Sequence, residues 1–161
     1  ITGLSGSGKT SLAKGISKTI GSIYGPYIEI SGDDLRYLFK MKKYDGKSRY
    51  KYAQAYSKLC KRIADQNINV IFSTVSLMNK IRRWNKKNIK NYVEIYVKSN
   101  INKILKKGSK KILRKPRSLV GLHIKPEFPI NSDITIINDF SQPINKLSKK
   151  LIAKIVNRVS Y

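Results

Sequence analysis

Eight residues near the start of the chain, Gly3-Leu4-Ser5-Gly6-Ser7-Gly8-Lys9-Thr10, match the pattern G-x-x-x-x-G-K-[ST] in full. The chemistry of that spacing is phosphate binding. Gly3, Gly6 and Gly8 let the backbone enter turns that a Cβ would disfavour. The turn aims successive N–H groups at one point and forms a nest for an anion. A helix opening near Lys9 adds its positive end. Lys9 is placed to reach the β- and γ-phosphates of ATP, and the Thr10 hydroxyl to ligate Mg²⁺. Ser5, Ser7 and Ser11 complete the set of residues expected around the nucleotide.

The surrounding elements fit that duty. Leu12, Ala13, Ile16 and Ile20 fall at helical spacing, so the loop opens a helix over Thr10–Ile20. Only Ile1 and Thr2 precede the loop, so further strand residues are expected upstream of this numbering. Downstream, strand and helix signals alternate. Strands are expected at Tyr27–Ile30, Asn69–Val75, Tyr92–Val97 and Ile134–Asn138. Helices are expected from about Arg49 to Asp65, then at Lys80–Lys90, Asn100–Lys107 and Pro143–Val159. Alternation of this kind implies an α/β fold of three layers, a parallel sheet flanked by helices. With no internal repeat, residues 1–161 read as a single phosphate-loop kinase domain.

Composition narrows the class. No apolar run reaches membrane-spanning length and no signal peptide is visible. The one cysteine, Cys60, cannot form an internal disulfide; a helical core position and a reducing cytoplasm are expected. The chain carries 34 Lys and Arg against nine Asp and Glu, a formal charge of +25. Such a field attracts polyanions. The lysines are spread along the chain rather than blocked with aromatics. That favours compositional drift plus a basic active-site cleft over nucleic-acid binding, and neither nucleic acid nor membrane is an expected partner.

With few acids, candidates for proton chemistry are few. Asp33 and Asp34 follow the Tyr27–Ile30 strand at its C-terminal end, the edge where α/β sheets bind ligands. Asp33 is expected to orient or activate an acceptor hydroxyl, and Asp34 to cap the next short helix. The Asn69–Val75 strand holds no Asp, so the Walker-B aspartate of GTPases and motor ATPases is missing; Ser73 and Ser76 stand at its end. This favours a small nucleotide-type kinase. The stretch around Lys110, Lys111 and Arg114, within a basic segment over about 106–125, reads as a lid that closes over the phosphates.

The ordered set of motifs resembles the adenylylsulfate kinases. Ile1–Thr10 resembles that family's phosphate loop. Ser31-Gly32-Asp33-Asp34-Leu35-Arg36 resembles its Asp-Gly-Asp-Asn-x-Arg motif. Arg49 stands where the family has an Arg opening the long helix. Phe72–Ser76 resembles its Ser-Phe-Ile-Ser strand end, Arg82 falls on a following Arg, and Leu119–Pro129 is similar to Phe-Thr-Gly-Ile-Asp-x-x-Tyr-Glu-x-Pro. The resemblance implies transfer of the ATP γ-phosphate, with Mg²⁺, to the ribose 3′-hydroxyl of a nucleotide-linked small anion. It implies that Asp33, Arg36, Arg49, Ser76 and Leu119 bind the acceptor. Family relatives are often dimers, so a homodimer is compatible with it.

The departures lie at the acceptor end. Ser31 replaces the family's first Asp, Tyr52 an Asn on the long helix, Leu119 the Phe that stacks on the acceptor adenine, and His123 an Asp. Losing an aromatic platform removes stacking of about 1–3 kcal/mol. The pattern favours the diverged cytidine diphosphoramidate kinases of bacterial capsule biosynthesis over adenylyl sulfate, which stays as the alternative. Tyr44, Tyr50, Tyr52 and Tyr56 cluster near the acceptor loop and helix; Tyr52 and Tyr56, at i and i+4, share a face. They read as core packing, with a replacement base platform as the other reading. His123, the only histidine, reads as a phosphate contact or as an exposed turn residue. A silent RNA-binding module and a polynucleotide 5′-kinase are more remote alternatives.

Overall fold

The computed structural model describes residues 1–107 and 119–159. The elements run β1 (Thr2–Gly3), α1 (Lys9–Tyr24), β2 (Tyr27–Ser31), α2 (Gly32–Leu38), α3 (Gly46–Ala64), β3 (Asn69–Ser73), α4 (Asn79–Asn88), β4 (Ile95–Lys98), α5 (Ile101–Lys107), β5 (Ile134–Ile137) and α6 (Ile144–Val159). Every strand pairing is parallel. β2 pairs with β3, and β1, β4 and β5 pair in that order. A bridge between Thr2 and Thr74 joins the two ladders, with Thr74 N–H donating to the Ile1 carbonyl at 3.0 Å. The strand order is therefore β2-β3-β1-β4-β5.

Alternation along the strands shows that helices cover both faces. Ile71, Ile95, Val97, Ile134 and Ile136 join one cluster with Leu12, Ala13, Ile16 and Ile20 of α1 and Leu147, Leu151 and Ile155 of α6. The intervening residues point the other way. Phe72 meets Tyr56 of α3 edge-on at 5.9 Å, and Tyr96 packs with Leu4, Leu77, Ile104 and Val120. A sheet buried on both faces is the parallel-sheet arrangement that βαβ crossovers produce.

The expected elements are present with shifted ends. The first helix runs on to Tyr24, where Gly25 closes it by donating to the Gly21 carbonyl. The long helix starts earlier, because Asp45 caps it by accepting from Ser48 N–H at 2.9 Å. The strand expected over Tyr92–Val97 begins only at Ile95. Glu94 N–H is taken by the Asp133 side chain at 2.8 Å instead of by a neighbouring strand. Of the expected lid, Lys110, Lys111 and Arg114 lie outside the described residues. No helix among the described residues is long and apolar enough to cross a membrane. Cys60 is buried on α3, and that burial pushes its thiol up to about 11, as fits a packing residue.

Candidate active site

The phosphate loop joins β1 to α1 at the C-terminal edge of the sheet. Ser7 N–H closes the turn onto the Leu4 carbonyl at 3.2 Å. Gly8, at φ 93°, is the N-cap of α1 and lies in the left-handed region that Gly tolerates. No side chain caps this 16-residue helix, so its first N–H groups stay open to an anion. Asn138, buried at the end of β5, braces the loop: its Nδ2 donates to the Ser7 carbonyl at 2.9 Å. A Cβ on Gly8 would lie 2.8 Å from that nitrogen, so the brace itself requires glycine.

Lys9 is buried, and its Nζ donates to the Leu4 carbonyl at 2.7 Å. Desolvation pulls its pKa from 10.5 down to about 8, and the nearby Asp33 carboxylate partly opposes the shift. The Thr10 and Ser73 hydroxyls lie 3.4 Å apart, which places the start of α1 against the end of β3.

The β2–α2 junction separates the two acids. Ser31 is the N-cap of α2 and forms a capping box with Asp34: Asp34 N–H donates to Ser31 Oγ at 3.1 Å, and Ser31 N–H to Asp34 Oδ2 at 2.8 Å. The expected cap was an aspartate. The cap itself is Ser31, and Asp34 is its reciprocal partner; the Ser31 hydroxyl donating to Asp34 Oδ2 at 2.7 Å, and then the Ser31 N–H, hold that carboxyl below the usual range. Asp33 takes no part in the box and lines the cavity.

That cavity, about 320 Å³, runs from the phosphate loop past Asp33 to α3 and the 119–120 segment. Ser5, Gly6, Gly8, Lys9, Thr10, Ser11, Asp33, Arg36, Arg49, Ser76 and Leu119 all line it. Gly3 and Ser7 do not; both are buried. On the side formed by α2 and α3, Arg36 Nη1 donates to the carbonyls of Met41 and Lys43 at 3.2 and 3.1 Å, and Arg49 Nε to the Tyr44 carbonyl at 2.7 Å. Burial first, then the neighbouring Arg36 charge, lowers the pKa of Arg49. Two cations on one wall make a natural anion site.

The opposite wall is the turn after the undescribed segment. Gly121, at φ 100°, donates to the Ile124 carbonyl, and His123 Nδ1 accepts from Leu119 N–H at 3.3 Å. His123 is exposed, so the turn-residue reading fits its place better than a phosphate contact. Arg82 anchors the chain beyond this turn: it pairs with Glu94 at 2.9 Å and donates to the Glu127 carbonyl at 2.6 Å. Sequence reasoning passed over Asn138. Its signal was slight, an amide directly after an apolar strand.

The family model described as adenylylsulphate kinase matches residues 1–137. The chain is also 30% identical, over 94% of its length and 94% of the relative's, to a cytidine diphosphoramidate kinase of Campylobacter jejuni. The chain belongs to the adenylylsulphate kinase family. This is a family of phosphotransferases that use ATP and act on hydroxyl groups. A probable adenylyl-sulfate kinase of Archaeoglobus fulgidus is 28% identical over 86% of the chain and 94% of its own length. The fold matches that of the Mycobacterium tuberculosis APS kinase solved with AMPPNP and APS, at a TM-score of 0.82 and 21% identity over 96% of this chain and 94% of that one.

Proposed function

We propose that this chain transfers the ATP γ-phosphate to the ribose 3′-hydroxyl of cytidine diphosphoramidate, in capsular polysaccharide modification. The observation that carries the reading is the contrast within one cavity. The phosphate end keeps the full loop, with open helix N–H groups and a buried lysine. The acceptor end has lost the family's aromatic at position 119 and carries tyrosines on α3. The similarity to the C. jejuni enzyme over nearly all of both chains supports the same acceptor.

In this reading the loop N–H groups and Lys9 hold the β- and γ-phosphates and stabilise charge in transfer. Asp33 accepts the hydroxyl proton as the oxygen attacks the γ-phosphorus. The bond from that phosphorus to the β–γ bridging oxygen breaks, and ADP leaves. Arg36 and Arg49 hold the acceptor's anionic groups, and Ser76, whose buried Oγ has no protein partner, lies within reach of the acceptor. Lys110, Lys111 and Arg114 are assigned to closure over the phosphates. Mg²⁺ suits the hydroxyl donors present, since it keeps substrate phosphates and waters as most of its ligands. Thr10 would hold it, with Ser73 beside it. The ion would neutralise charge on the β- and γ-oxygens.

The test is ADP release with Mg-ATP and a panel: cytidine diphosphoramidate, adenylyl sulfate, other nucleoside diphosphate derivatives and a short oligonucleotide. Lys9→Ala is the control. Turnover of the cytidine compound, lost in the control, with a 3′-phosphate seen by phosphorus NMR, is expected. Efficient turnover of adenylyl sulfate with the cytidine compound ignored would replace this acceptor with the alternative that the A. fulgidus relative favours.

A further inference from the structure

The aromatic surface of the acceptor cavity sits on a different element from the one where the family pattern has its Phe. Position 119 is leucine, an aliphatic wall. On α3, Arg49, Tyr52 and Tyr56 recur at three- and four-residue spacing and so share a face. Asp33 and Arg36 share a face of α2 in the same way. All five line the one cavity. An acceptor whose hydroxyl rests at Asp33 therefore runs past Arg36 toward Tyr52.

The residues there form a stack. The Arg36 guanidinium carbon lies 4.3 Å from the Tyr44 ring centroid and 5.0 Å from that of Tyr52. Its bonds to the Met41 and Lys43 carbonyls fix its plane, and among the described residues it has no ion-pair partner. Arg49 lies 5.6 Å from the Tyr44 centroid on its other contact. Arg36 is thus held by two rings and Tyr44 by two guanidinium groups. Tyr52 is half-buried, so part of its ring still faces open space. Aromatic rings and guanidinium planes are the two surfaces on which bases stack, and such stacking tolerates any base because every base has a π-face.

We propose that Tyr52, backed by the Arg36–Tyr44 pair, is the platform on which the acceptor's base stacks, in place of an aromatic at position 119. The proposal rests on the kinase reading above but not on which base the acceptor carries. Choice of base then falls to α3, with Leu119 as an aliphatic wall of the same cavity.

The experiment is steady-state kinetics with separate KM values for ATP and acceptor. Tyr52→Ala is expected to raise the acceptor KM at least tenfold, about 1.4 kcal/mol, and to leave the ATP KM within about twofold. Tyr52→Phe keeps the ring and stays within about threefold of wild type on both. Exchanging both positions to the family pattern, Tyr52→Asn with Leu119→Phe, shifts the kcat/KM ratio at least tenfold toward the adenosine-linked acceptor. An acceptor KM unmoved in Tyr52→Ala, or both KM values rising together, overturns the platform. Wild-type protein that turns over neither acceptor sinks the kinase proposal by itself. The platform is then read by calorimetric titration of CMP into protein saturated with a non-hydrolysable ATP analogue. Affinity at least tenfold weaker in Tyr52→Ala supports it; unchanged affinity, or no binding to wild type, overturns it.

Discussion

Replacing Lys9 with methionine should separate what the phosphate loop needs for function from what it costs in stability. Lys9 is buried, and burial brings its pKa from 10.5 to about 8. At about 1.4 kcal/mol per pH unit, holding its charge in the folded protein at pH 7 costs about 3 kcal/mol. Lys9→Met removes that cost but strips the Leu4 carbonyl of its 2.7 Å donor, a loss of about 1–3 kcal/mol. At pH 7 the ligand-free variant is therefore expected to match wild type or exceed it by up to about 2 kcal/mol. The sign against pH is the sharper test. A lysine whose folded pKa is depressed binds fewer protons folded than unfolded between about 8 and 10.5, so wild-type stability gains with pH across that window. The penalty is fully present below about pH 8 and gone above 10.5. Urea unfolding of both proteins at several pH values from 7 to 11 reads the difference directly, since every other titrating group is shared. The variant's advantage should fall by about 3 kcal/mol across the range, while phosphoryl transfer drops at least about 10²-fold at every pH. A stability difference that is flat with pH would refute the buried, charge-straining lysine.

Three further outcomes follow from single contacts. Asp33→Asn keeps the shape of the α2 start but removes the carboxylate proposed as proton acceptor; kcat should fall about 10²–10⁴-fold with the ATP KM nearly unchanged, read in the ADP-release assay. Asn138→Ala leaves the Ser7 carbonyl and Phe140 N–H without their partners at 2.9 and 3.1 Å. It should cost about 2 kcal/mol, seen as a melting temperature lower by about 4–8 °C, and raise the ATP KM. Ser31→Ala breaks the capping box. Thermal unfolding should show a loss of about 1 kcal/mol, and kcat should fall because Asp33 loses its fixed helix start.

The phosphate loop was legible because its chemistry is local. Gly8, Lys9 and Thr10 are consecutive residues at the start of α1, and the spacing states that local geometry. The layered sheet was legible for a related reason, since runs such as Ile134–Ile137 and the period of α1 encode burial directly. Contacts between distant segments were not. Nothing in the order of residues says that Asn138 reaches Ser7 across 131 positions, or that Arg36 settles between Tyr44 and Tyr52. The cap at Ser31 was misassigned to an aspartate because Ser and Asp cap equally well, and only the turn geometry chooses between them. Strand ends were overrun where a side chain such as Asp133 takes a backbone donor that the apolar pattern alone gives to the sheet.

The most direct test of the account is a competition between two acceptors at equal concentration, with Mg-ATP saturating and both products followed by phosphorus NMR. The account predicts that the cytidine diphosphoramidate is phosphorylated with a kcat/KM at least about tenfold above that of adenylyl sulfate, a difference of about 1.4 kcal/mol. A preference of that size for adenylyl sulfate would contradict it.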